Sequence, residues 1–153
     1  MHRNKGFSLL ELVIVVVIIG IIAAIAIPRM SRGSEGANDS AVAQNLSVLR
    51  GAIDLFATEH GGTYPTAANI VNQLTQYSDV AGTSLSASKT TTCIYGPYLR
   101  AVPPLPVGTR KGCTGIAAAD ADGVGWLYTA ATGSITANTG TLKDASDKLY
   151  TAY

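Results

Sequence analysis

Lys5-Gly6-Phe7-Ser8-Leu9-Leu10-Glu11-Leu12 opens a run that stays apolar through Val13-Ile14-Val15-Val16-Val17-Ile18-Ile19-Gly20-Ile21-Ile22-Ala23-Ala24-Ile25-Ala26-Ile27. From Phe7 to Ile27, 18 of 21 residues are apolar, the exceptions being Ser8, Glu11 and Gly20. As a helix this segment is about 31 Å long, the thickness of a bilayer's hydrocarbon core. The whole chain has 153 residues, 47% apolar and 14% charged, whereas a soluble domain carries about 25% charge. Since 47% of 153 is about 72, removing the 18 leaves 54 apolar among 132, about 41%, which is ordinary for a globular domain. The composition therefore averages a membrane-length segment and a polar domain. That excludes a wholly soluble enzyme, a multi-span transporter and a disordered chain. A net charge of +1 argues against a general nucleic-acid surface, and the length allows one soluble domain.

The segment has several possible fates. Arg3 and Lys5 precede it as in a secretion signal, and Ala24-Ile25-Ala26 offers an A-x-A cleavage site. Its length suits a retained span better, and Pro28 would sit next to the new terminus. A plain anchor accounts for the length but not for Glu11. A carboxylate inside a membrane segment costs about 3 kcal/mol on insertion scales and usually has a partner. No Lys, Arg or His lies between Lys5 and Arg29. Glu11 either snorkels to the membrane edge or finds its cation on another molecule.

The order of these elements resembles the prepilin-type cleavage and methylation motif of type IV pilins and of type II secretion pseudopilins. A short basic leader ends in Gly6, Phe7 follows, Glu11 stands five residues into the mature chain, and an apolar run comes next. Pro28 falls where many members of that family have a helix-interrupting proline. The resemblance implies that a membrane-embedded prepilin peptidase cuts between Gly6 and Phe7 and N-methylates Phe7. It implies a single-pass subunit stored in the bacterial inner membrane and in contact with its lipid. An assembly platform and ATPase then extract it into a homo-oligomeric helical filament, periplasmic or at the cell surface. Glu11 becomes an assembly residue in that setting, because cleavage creates a cationic amine that a neighbour's Glu11 neutralises, and a buried charge without its partner is heavily penalised.

Beyond the run, Pro28 to Asp39 contains Gly33 and Gly36. Pro removes a helical hydrogen bond, and each Gly costs about 1 kcal/mol relative to Ala. A linker and a weak helical section both fit. Val42, Leu46, Leu49, Ile53 and Phe56 then form one apolar stripe at +4, +3, +4, +3. This predicts a helix continuing the first one, interrupted near Pro28 and stopped by His60-Gly61-Gly62. Thr66 is placed to cap a short helix carrying Ile70, Val71, Leu74 and Tyr77. Residues 78–92, rich in Ser, Thr, Ala and Gly, read as a loop. Ser86-Ala87-Ser88-Lys89 matches S-x-x-K there by chance, without companion motifs. Val124–Ala130 and Ser134–Asn138 flank Ala131-Thr132-Gly133 as a hairpin with Trp126 and Tyr128 on one face. Segments 92–96 and 148–152 are further strand candidates. The Pro-rich 97–106 does not suit a central strand. Tyr64-Pro65, Gly96-Pro97-Tyr98-Leu99 and Gly125-Trp126-Leu127-Tyr128 are short islands that resemble major pseudopilins.

Cys93 and Cys113 could be two buried thiols, but their place beyond a membrane, in an oxidising compartment, favours one disulfide between them. A loop of that size adds about 3 kcal/mol on the chain-entropy model. Pilins commonly carry such a C-terminal bridge, and typical major pseudopilins lack it. Asp120-Ala121-Asp122-Gly123 hints at calcium, but the twelfth position of an EF-hand loop is Ala131 rather than Glu. The resemblance to major pseudopilins, which bind calcium in their C-terminal loop, implies Asp144 and Asp147 as further candidates. No residue-by-residue match occurs, however, and a solvated acidic turn suits these residues better than a metal site. His2 lies in the leader, and His60 reads as exposed at a helix end. No Walker A, HExxH or dinucleotide fingerprint occurs. No enzyme, cofactor or nucleic-acid partner is expected.

The resulting expectation is an α+β chain with a long N-terminal helix packed on a small antiparallel sheet, as in type IV pilins. Its divisions are a leader at 1–6, a membrane or filament-core helix at 7–27, an amphipathic continuation at 28–61 and a globular domain at 62–153. The function so implied is a pilus-like or pseudopilus subunit. The alternatives are a membrane-anchored binding module that never polymerises and a secreted enzyme with a removable signal, which the absent catalytic set disfavours.

Overall fold

The computed structural model describes residues 8–153, with backbone alone for 26–34. Among the described residues the architecture is α+β, with one long helix, a short helix and two small sheets. Helix α1 spans Leu9–Glu59. Contacts divide the chain into two compact units, one ending at Ala37 and the other running from Asn38 to Tyr153. The expected interruption at Pro28 is absent, since α1 is continuous through it. One missing N–H removes one bond of the ladder, while bonds from the residues around it still span the position.

In the second unit the apolar stripe of α1 lies in the core. Val42, Leu46, Leu49 and Ile53 are fully buried and Phe56 nearly so, in one cluster with Trp126, Tyr128 and Ile135. Arg50 Nη2 donates to the Ile135 carbonyl at 3.2 Å, joining helix and sheet by a polar contact. The helix stops where the glycines predict: Gly61 and Gly62 have φ of 65° and 85°. The Gly62 N–H reaches back to the Ala57 carbonyl at 2.7 Å, the long-range bond of a Schellman cap.

Helix α2 is Ile70–Thr75, shorter than expected, and its N-cap is Asn69 with no side-chain bond. Thr66 instead donates its N–H to Gln73 Oε1 at 2.9 Å. The N–H groups of Tyr98 and Leu99 both bond the Leu74 carbonyl, at 2.9 and 2.8 Å, so the Pro-rich segment serves the end of α2.

The main sheet has the order β3–β4–β5, with β3 at Gly115–Ala117, β4 at Val124–Thr129 and β5 at Ser134–Ala137. The predicted hairpin is β4–β5, antiparallel with Trp126 opposite Ala137 and Tyr128 opposite Ile135. Both rings are buried on one face, Trp126 Nε1 donating to the Pro103 carbonyl and Tyr128 Oη to the Pro65 carbonyl, each at 2.9 Å. The sheet is not wholly antiparallel, however, because β3 pairs parallel to β4. Parallel neighbours usually need a crossover of about a dozen residues or more. Here residues 118–123 suffice because the pairing is short and backbones approach closely: a Cβ on Gly125 would lie 2.3 Å from the Cys113 carbonyl oxygen.

A second small sheet, β1 at Tyr77–Ser78 with β2 at Leu85–Ser86, occupies part of the expected loop. The Asp79 carboxylate holds its turn, accepting the N–H of Thr83 and of Ser84 at 2.8 and 3.1 Å. Segment 92–96 contributes only a bridge from Tyr95 to Ser78, and 148–152 a bridge at Leu149 followed by a 3-10 turn at Tyr150–Ala152.

Candidate functional site

The start of α1 is built by two side chains. Ser8 precedes the first helical residue, and its Oγ accepts the N–H of Leu10 at 3.3 Å. Glu11, in the first turn, turns back so that Oε2 accepts the Ser8 N–H at 3.0 Å. The Glu11 bond is that of a capping box, with Ser8 Oγ on the second rather than the third helical N–H. Together they satisfy two N–H groups at the helix start and set a negative charge against the positive end of the helix dipole. Glu11 thus has a partner in its own chain, a main-chain donor rather than a cation. The S-x-x-E spacing of Ser8 and Glu11 carries that signal in the sequence.

From Leu9 to Ile25 the large side chains of α1 are exposed in this chain, Leu9 at 82% and Ile22 at 59%. Contiguous apolar surface on this scale marks a membrane or protein contact. Among the described residues no helix is long and apolar enough to cross a membrane. Gly6 and Phe7 lie outside the described residues, as do the side chains of Ala26, Ile27 and Pro28.

The other sequence candidates occupy the second unit. His60 is buried rather than exposed. Its ring stacks on Phe56 at 3.9 Å, with Nδ1 2.7 Å from the Phe56 carbonyl and Nε2 3.0 Å from the Asp79 carbonyl. Ser78 Oγ also lies 3.1 Å from Nε2. The imidazole therefore ties the end of α1 to the β1–β2 turn, and its polar atoms are engaged structurally.

Cys93 and Cys113 are free thiols, so the expected disulfide is not formed in this structure. Each sits in its own local network. Cys93 is buried, with its N–H on Thr90 Oγ1 at 2.9 Å and its Sγ 3.6 Å from the Ser84 carbonyl. Cys113 closes a turn, with its N–H on the Arg110 carbonyl and its carbonyl bonded by Leu105 N–H, both at 3.0 Å.

The aspartates weighed for calcium have protein partners. Arg110 bridges two of them, Nε to Asp120 at 2.9 Å and Nη1 to Asp122 at 2.8 Å. Arg110 and then Asn138 hold the Asp120 carboxyl below its ordinary range. Asp147 pairs with Lys143 at 2.8 Å. Asp144 accepts the Tyr153 hydroxyl and the N–H of Lys148 and Ser146, which depress its carboxyl in that order. Among the described residues no three His, Cys, Asp or Glu side chains are grouped to hold a metal. A shallow concavity lined by Gly108, Thr109, Thr139, Thr141 and Leu142 contains no titratable side chain.

Residues 1–27 match the family model of the prokaryotic N-terminal methylation motif, the signature of type IV prepilin-like and pseudopilin-like proteins. No curated protein and no solved structure matches the chain.

Proposed function

We propose that this chain is a structural subunit of a type IV pilus-like or type II secretion pseudopilus filament, made as a precursor and polymerised through α1. The observation that carries the reading is the methylation motif at residues 1–27. A prepilin peptidase cuts between Gly6 and Phe7, removing the leader 1–6, and N-methylates Phe7. Residues 7–27 then span the inner membrane while the subunit is stored and become filament core after an assembly platform and ATPase extract it. The exposed apolar face of α1 supports this, because a surface that a single chain leaves uncovered is buried first by lipid and then by neighbouring helices. The amphipathic continuation and the globular part, 62–153, complete a type IV pilin-like subunit with no catalytic role.

Glu11 is the assembly residue in this scheme. Cleavage would place the new amine one residue before the N–H that Glu11 already accepts, and methylation leaves it cationic. Glu11 Oε2 serves its own helix start, while the carboxylate's charge pairs with the amine of a neighbouring subunit. A desolvated carboxylate without that cation is strongly disfavoured, so the pair fixes axial register as well as adding attraction. N-terminal sequencing and intact mass of the protein from its native membrane test the reading: N-methyl-Phe7 is expected, and an intact Met1 or a start at Ile27 would overturn it.

A further inference from the structure

Asp39 stands at the start of the second unit, just past the boundary between Ala37 and Asn38. Its carboxylate is gripped from the far end of the sequence: the Tyr150 hydroxyl donates to Oδ1, and the Ala145 N–H donates to Oδ2 at 3.2 Å. The gripping segment is itself well tied. Asp144 accepts the N–H groups of Ser146 and Lys148 at 2.8 and 2.9 Å, as well as the Tyr153 hydroxyl. Tyr150 is buried and stacks on Tyr153 at 5.7 Å, and Lys148 Nζ lies 4.2 Å from the Tyr153 ring centre.

Helix quality changes sharply across this point. Upstream, residues 28–38 contain Pro28, Gly33 and Gly36, three of the poorest choices for a helix interior. Downstream, Val42, Leu46 and Leu49 are fully buried and hold the helix by packing. Asp39 lies between, in the turn before the first of these core residues. Without the grip, fraying that began among the glycines would run on until it met Val42.

We infer that the C-terminal segment clamps α1 at Asp39, and so sets the point beyond which loss of helix in residues 28–38 does not spread into the globular unit. The clamp adds two hydrogen bonds at the point where α1 enters the globular unit, one turn before its first core residue. It acts within the folded chain and does not depend on filament formation.

Amide hydrogen exchange on the full chain in detergent micelles, read by mass spectrometry, tests this with Asp39→Ala and Tyr150→Phe. In the wild type, amides 29–38 should exchange at least about tenfold faster than those of 46–59. In Asp39→Ala, amides 42–45 and 144–153 should speed up by about tenfold, with the β4–β5 hairpin unchanged. Tyr150→Phe, which removes one hydroxyl, should give a smaller change in the same places. If neither variant alters 42–45, or if 29–38 is as slow as 46–59 in the wild type, the clamp is wrong. Should Asp39→Ala loosen the whole unit, Tyr150→Phe decides: a change confined to the two segments upholds the clamp, and no change or a general one overturns it.

Discussion

The Glu11 carboxylate accepts the Ser8 N–H at 3.0 Å, three residues back along the same chain. That bond gives Glu11 two separable roles, a helix cap that needs an acceptor oxygen and a charge that needs a cation. Glutamine keeps the first and removes the second. If the charge governs assembly, Glu11→Gln and Glu11→Ala should both lose most filaments while the precursor is still cleaved. Counting sheared filaments by electron microscopy, with processing verified by mass, checks this, and near-normal filaments from Glu11→Gln would assign the residue to capping alone. Ser8→Ala should weaken the start of α1 by about 1 kcal/mol, seen as faster exchange of the first-turn amides.

Gly51 and Gly125 should respond oppositely to the same substitution. Gly51 lies on the exposed side of α1, where an added Cβ meets nothing within 4 Å. Gly51→Ala should therefore stabilise the globular unit by about 1 kcal/mol through helix propensity alone. Gly125 faces the Cys113 carbonyl at 2.3 Å from an ideal Cβ, so Gly125→Ala should destabilise by about 2 kcal/mol or more. Thermal unfolding of both variants in one detergent gives the comparison, and equal melting temperatures would contradict it.

Stability should fall at both pH extremes, for opposite reasons. Main-chain N–H groups led by Ser84 hold Asp79 below the ordinary 3.8, Arg110 does so for Asp120, and the Tyr153 hydroxyl for Asp144. A depressed carboxyl stabilises the fold fully above its unfolded value, and the contribution is lost as pH drops through the folded one. The acid loss should thus begin below about pH 4, and Asp144→Asn should remove part of it. Burial, aided by Tyr64, pushes Tyr128 up to about 12, and Asp144, aided by burial, raises Tyr153 to about 12. Their neutral hydroxyls support the fold below pH 10, and that support disappears as pH rises through about 12. Melting temperature followed from pH 2 to 12 should show a plateau between two falls, with Tyr153→Phe softening the alkaline one.

The parts of this fold that were legible in the sequence are those with a long period. Val42 to Phe56 repeat at helical spacing and are buried as that spacing requires, and Trp126 and Tyr128 alternate onto one face of β4. The pairings of β1 with β2 and of β3 with β4 involve two or three residues on each strand, too few to show alternation. Tertiary partners decide them: the Asp79 turn in one case, and the close approach at Gly125 in the other. His60 looked exposed because it follows a helix end, yet the Phe56 ring and the Asp79 carbonyl, distant in sequence, cover it. At the candidate site, the run that sets α1 apart was legible from composition. The capping box was written as S-x-x-E, but two readings competed for Glu11, and only geometry showed the local one.

His60 should prove to be a strut of the globular unit rather than a reactive group. Its ring nitrogens reach the Phe56 and Asp79 carbonyls at 2.7 and 3.0 Å, its face covers Phe56, and a Cβ on Gly82 would come within 3.1 Å of its Cδ2. Removing the ring leaves a cavity and strips the Asp79 carbonyl and Ser78 hydroxyl of a buried partner, each a cost of about 1–3 kcal/mol. His60→Ala should therefore destabilise by about 3 kcal/mol in total, with faster exchange at β1–β2 and at the last turn of α1. His60→Gln, which can keep one polar contact but not the stack, should fall between wild type and alanine. Urea unfolding monitored by the fluorescence of Trp126 measures both, and a His60→Ala protein as stable as the wild type would show that the ring carries no such load.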